Sequence, residues 1–168
     1  VRFGHSLQEQ GLQASYKLLR TVEIPASLAI ARGLELELGE PVALIERLGL
    51  ADEQPISIGS GYFPLSRFPD ILQPKTIKVL QEMSSISRLM QTVYHCDHIR
   101  RSTLVSARSV QAQDAKHLKI SLNQPILLVE STNIDQMGNV IEYGVTRMRG
   151  DRVELVFADD SNQPEPNF

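Results

Sequence analysis

The hydrophobic positions along the chain change period in a repeated order. In AIARGLELELGEPVALIER, residues 29–47, Ala31 and Leu34 are three apart, which places both on one helix face. A turn at Gly39 follows. Pro41 then opens an apolar run, 42–50, that reads as a β-strand, where a proline at the start is tolerated. The same order returns in QDAKHLKISLNQPILLVES, residues 113–131. At a constant offset of 84, Ala31, Leu34, Leu38, Pro41, Leu44 and Glu46 recur as Ala115, Leu118, Leu122, Pro125, Leu128 and Glu130. The second strand run is 126–134. Turns at 51–54, with Asp52, and at 135–140, with Gly138 and Asn139, lead into further strands over 55–63 and 140–148. Strand-like runs at 17–24 and 101–110 precede the two helices. The pattern predicts an α+β domain built from two pseudo-repeats, with about six antiparallel strands and flanking helices.

A different element separates the copies. Residues 68–83 read as loop and short helix, and 84–95 as a helix capped by Ser84 or Ser85, with Ile86, Leu89, Met90 and Val93 on its apolar face. The run FGHSLQEQG near the start predicts a short helix stopped by Gly11. The tail, 159–168, has no periodicity and is expected to be disordered, leaving one domain over 1–158.

Composition narrows the function classes. The net charge of −3 argues against gripping nucleic acid through phosphate neutralisation by this segment. The one cysteine, Cys96, excludes an internal disulfide and fits a reducing, cytoplasmic setting. No apolar run approaches the length of a membrane span, so no membrane partner is expected. The chain begins at Val1 rather than Met, which suggests a fragment lacking an N-terminal partner domain.

Candidate chemistry lies on the strands. Alternation groups Arg47 with Gly49, Ser57 with Gly59 and Gly61, and Glu142 with Gly144, Thr146 and Met148. Arg147 therefore falls on the face opposite Glu142. Glycines weaken a strand, so GSG at 59–61 marks either a bulge or room for a ligand. Arg47 is either an anion receptor or an edge residue paired with Glu46 or water. Ser85 and Ser87 open a helix whose free N–H groups suit an anion, although an N-cap is the commoner role. HCDH at 95–98 has no second cluster to complete a metal site and reads as a solvated helix end. RGDR at 149–152 reads as a turn in which Arg149 and Arg152 pair with Asp151 or with a second subunit. No phosphate loop or dinucleotide fingerprint is present, and no cofactor or metal is expected.

Four stretches in this order, IPASLAIARGLELELGEPV, ERLGLADEQPISIGSGYFP, SARSVQAQDAKHL and IEYGVTRMRGDRVEL, resemble the effector-binding (UTRA) domain of GntR-type bacterial transcription regulators. The resemblance is to the HutC-like branch of that group, and the last two stretches look most like the regulators of phosphonate uptake and breakdown. The resemblance covers about residues 1–157. It implies a chorismate lyase-like fold, a small-molecule pocket on the sheet, a homodimer, and a winged helix-turn-helix DNA reader outside this chain. It also implies a sensor rather than an enzyme, with a lyase-like enzyme or a dimerisation module with a vestigial pocket as alternatives.

Carried over position by position, the implied pocket comprises Arg47, Ser85, Ser87 and Glu142. Where the family has a second arginine, an acid and a tyrosine, this chain has Gly49, Gly59 and Met148. Those departures point away from amino-sugar phosphates and towards a phosphonate or organophosphate, a small anionic effector. Arg101 or Arg108 is the expected source of a second positive charge.

Overall fold

The computed structural model describes residues 14–157. The expected helix around FGHSLQEQG and the expected disordered tail lie outside those residues. Six strands form one antiparallel sheet: β1 (Ala14–Pro25), β2 (Pro41–Ala51), β3 (Gln54–Pro64), β4 (Ile99–Ser109), β5 (Pro125–Ile134) and β6 (Val140–Arg149). Four helices accompany them: α1 (Leu28–Leu34), α2 (Pro74–Met83), α3 (Ile86–Tyr94) and α4 (Ala112–Leu118). The chain is therefore the expected α+β fold, with each repeat a strand, a helix and a hairpin.

The sheet order, β1-β2-β3-β6-β5-β4, shows what the repeat is for. Each copy builds one half, and the halves meet where β3 pairs with β6. The offset of the sequence repeat maps the Ser60–Val145 pair onto Gly144–Gly61, so a pseudo-two-fold axis passes between these neighbouring pairs. Local details repeat as well. Helices α1 and α4 both end on a left-handed residue, Glu35 (φ 58°) and Lys119 (φ 57°), whose N–H bonds to Ala31 and Ala115 respectively. Both arrangements satisfy a carbonyl that the helix end would otherwise leave open.

Alternation along the strands divides the apolar residues between two faces. On one face, α1 buries Ile30, Ala31 and Leu34 against Val42 and Tyr143, while α4 buries Ala115 and Leu118 against Leu48, Ile58 and Ile126. On the other, α2 and α3 bury Ile77, Leu80, Ile86, Leu89 and Met90 against Ala43, Ile45 and Phe63. Helices thus cover both faces. Val93, expected on the apolar face of α3, is instead exposed.

Between α1 and α4 the sheet carries a charged network. Arg147 donates to Asp114 (3.1 Å) and to Ser60 Oγ (2.6 Å), and Ser60 donates to Glu46, which also accepts from Arg20 (2.8 Å). At the strand's end Arg149 pairs with Asp151 (2.8 Å). The many charges of the last strand are therefore split: Arg147 serves the α1/α4 face, Glu142 the opposite one.

Candidate functional site

The face under α2 and α3 is not filled along its whole length. The two helices cover Ala43 and Phe63, and beyond them a cavity of about 570 Å³ opens over the middle of the sheet. Its floor is Ile45 and Arg47 of β2, Ser57, Gly59 and Gly61 of β3, Glu142, Gly144, Thr146 and Met148 of β6, and Val129, Ser131 and Asn133 of β5. Ser84, Ser85 and Ser87, at the junction of α2 and α3, form one wall, and Tyr16, His98 and Arg100 close the rim.

Arg47 lies beneath the Tyr16 ring, with its guanidinium carbon 4.2 Å from the ring centroid. Its Nη1 is shut off from solvent and has no hydrogen-bond partner among the described residues. Burial pulls the Arg47 pKa below its ordinary value, and the charges of Tyr16 and Glu142 oppose that pull. A buried guanidinium N–H without an acceptor is costly, and an incoming oxyanion would relieve the cost. The reading of Arg47 as a residue paired with Glu46 does not hold, because Glu46 points to the other face, towards Arg20 and Ser60.

Glu142 is buried, and its Oε1 accepts from Asn133 Nδ2 (3.0 Å) and from His98 Nε2 (2.5 Å). Burial alone would raise its pKa. The His98 bond and charge, the Asn133 bond and the charge of Arg47 outweigh burial and hold the carboxyl below its usual range. An ionised Glu142 can only accept, so His98 carries a proton on Nε2. His98 is therefore part of the cavity, not the solvated residue expected from HCDH. Cys96, its neighbour in that run, is buried and accepts from Arg67 Nη2 at 3.3 Å. Among the described residues, no group of three or more His, Cys, Asp or Glu side chains is arranged to hold a metal.

The wall is built by a local conformation. Ser84 ends α2 in the left-handed region (φ 55°), and Ser85 is extended and caps α3, its Oγ accepting from Arg88 N at 3.2 Å. The reversal points the start of α3 at the cavity, and the N–H groups of Ile86 and Ser87 have no intrahelical acceptor.

Arg47, Gly59, Ser85, Ser87, Glu142 and Met148 thus line one cavity. Arg101 and Arg108 do not. The β4–β5 register shifts between Arg100 and Ser102, a bulge that leaves Arg101 out of the ladder. Arg101 turns to Glu35 on the surface (3.0 Å), and the residues after the bulge exchange faces, so Arg108 lines the space beside α4. The second cation at this cavity is Arg100, whose Nε donates to Asn133 Oδ1 at 2.9 Å and whose Nη1 donates to Thr103 Oγ1 at 3.0 Å. Sequence reasoning missed Arg100, Tyr16, His98 and Asn133, because bulges and cross-strand neighbours leave no mark on periodicity. Gly59 is answered too. The β3–β6 ladder runs through it without a shift, and an added Cβ would meet only Thr146 Oγ1, at 3.9 Å. It leaves room rather than marking a bulge.

Residues 9–154, most of the chain, match the UTRA domain family. This chain belongs to that family. The UTRA domain is 29% identical over 155 residues to an uncharacterized HTH-type transcriptional regulator of Rhizobium meliloti strain 1021, covering 92% of this chain and 62% of the relative. A relative from Escherichia coli strain K12 that carries the name PhnF is 28% identical over 161 residues, with 92% of this chain and 62% of the relative covered. The chain thus spans about three-fifths of the length of these relatives. The crystal structure of the effector domain of PhnF from Mycobacterium smegmatis superposes with a TM-score of 0.79 at 21% identity, covering 94% of this UTRA domain and 95% of that chain.

Proposed function

We propose that this UTRA domain senses a small oxyanion, a phosphonate or organophosphate, in the sheet cavity. Occupancy alters the arrangement of a cytoplasmic homodimer of the HutC-like branch, and so alters DNA binding by a winged-helix domain outside this chain. The observation that carries the reading is Arg47, which lines the same cavity as the start of α3 and whose buried Nη1 has no acceptor among the described residues. A guanidinium and a helix N-terminus together supply charge and directed N–H donors, which is what an oxyanion requires. Further support comes from the relatives, which are named as transcriptional regulators.

The test is binding of methylphosphonate, inorganic phosphate, sugar phosphates and amino acids, read by thermal shift and calorimetry. Phosphonate or phosphate is expected to raise the melting temperature. Losing a charge-assisted bond worth about 1.5–3 kcal/mol, Arg47→Ala is expected to bind roughly ten- to a hundredfold more weakly with the fold retained. Unchanged binding by that variant would remove Arg47 from the site. No stabilisation by any anion would favour a dimerisation module with a vestigial pocket.

A second reading, a lyase-like enzyme, draws on one observation: His98 and Glu142 form a hydrogen-bonded acid–base pair inside the cavity. Chemical turnover of a bound compound would establish it.

A further inference from the structure

The cavity holds two opposite charges that are not joined. Arg47 and Glu142 attract one another, yet they form no ion pair within 4.0 Å; the close partner of Glu142 is instead His98 Nε2. Each also has an unused hydrogen-bonding atom. On Arg47 it is Nη1, buried and without an acceptor among the described residues. On Glu142 it is Oε2: the donors His98 and Asn133 both go to Oε1, and no hydrogen bond among the described residues reaches Oε2. Oε2 lies beside Gly61, where an added Cβ would come within 2.8 Å of it. Between the two ends the floor at Gly59 is open. Leaving desolvated charges of opposite sign apart is expensive when they could pair. A ligand with both signs, inserted between them, would satisfy both.

Resting on the anion-sensing reading above, we infer that the ligand is a zwitterion, with its oxyanion at Arg47 and the start of α3 and an ammonium group at Glu142 Oε2. A hydroxyl group would supply the missing hydrogen bond alone; an ammonium group supplies the bond together with a charge opposite to that of the carboxylate. Within the phosphonate or organophosphate reading, the class is a short aminoalkyl phosphonate or an amino-alcohol phosphate. Met148, with no hydrogen-bonding group of its own to offer, lines the same floor and suits the alkyl link.

The experiment is isothermal titration of the 168-residue chain with aminoethylphosphonate, phosphoethanolamine, ethylphosphonate and β-alanine. One of the two amino-anions is expected to bind at least about tenfold more tightly than ethylphosphonate or β-alanine, and which one it is distinguishes phosphonate from phosphate ester. Glu142→Gln keeps the side chain's shape and removes its charge. In that variant the preference for the amine is expected to fall to within about twofold, with ethylphosphonate binding retained. Equal affinity of the native chain for aminoethylphosphonate and ethylphosphonate, with both lost in Arg47→Ala, would overturn the zwitterion and leave the anion sensor standing. A preference that persists in Glu142→Gln would also overturn it. If none of the four compounds bound, both readings would fall. Should Glu142→Gln fail to fold, as seen by circular dichroism, the native comparison of the two phosphonates still decides.

Discussion

At Gly61 an added Cβ would fall 2.8 Å from Glu142 Oε2 and 3.0 Å from the Phe63 ring. Two residues earlier on the same face, at Gly59, the nearest atom would be 3.9 Å away. Both positions are glycine in an extended strand, but one makes space for a carboxylate and the other for whatever enters. Gly61→Ala is therefore expected to destabilise the domain by about 1–3 kcal/mol, as overpacking does, by displacing Glu142 or Phe63. Gly59→Ala is expected to leave stability within about 1 kcal/mol of the native value. Urea denaturation of the two variants side by side measures the difference. In the sequence the two glycines were indistinguishable. Their difference depends on where the Glu142 carboxylate comes to lie, and that is set by His98, just before β4, and Asn133 of β5.

Helix α3 shows how much a single element left legible. Cap chemistry narrowed its start to Ser84 or Ser85, and it is Ser85 Oγ that accepts from Arg88 N. Ser85→Ala is expected to cost about 1 kcal/mol through the lost cap, whereas Ser87→Ala, outside the cap, is expected to leave the melting temperature unchanged. Thermal unfolding followed by circular dichroism reads both. Strand β4 is the counterexample. Its existence was clear from the run at 101–110, but the bulge at Arg101 was not, and that one extra residue decides which arginines face the cavity. A strict period of two would put Arg100 and Arg108 on the same face; the bulge separates them. Nothing in IRRSTLVSARS marks the extra residue, since a bulge is settled by the fit of one strand to its neighbour.

For the whole molecule, the two copies join at their second hairpin strands, β3 and β6, which leaves β1 and β4 as the edges of the sheet among the described residues. Most of β4 is exposed, with Ile99 and Leu104 among the exposed apolar residues. An edge of that kind is an invitation to pairing unless something covers it. The expected outcome is a symmetric homodimer. Sedimentation equilibrium at tens of micromolar is expected to give twice the chain mass; a monomer at that concentration would count against the dimer and against a sensor that works through it.

The repeat at the offset of 84, with its prolines and paired apolar positions, determined the strands, the helices, their order and the α+β class, because periodicity and turn chemistry act over a few residues. It also sorted Glu142 from Arg147, because alternation along one strand needs no partner. Beyond the two hairpins, which strands lie side by side was decided only by folding, and so was what depends on it. The tertiary structure set Tyr16 over Arg47, joined His98 and Asn133 to Glu142, and replaced Arg101 and Arg108 with Arg100. The Tyr16–Arg47, His98–Glu142 and Arg100–Asn133 contacts span from about thirty to more than forty residues of chain, and no local pattern carries information over that distance; Asn133 meets Glu142, nine residues on, through the register of the β5–β6 hairpin.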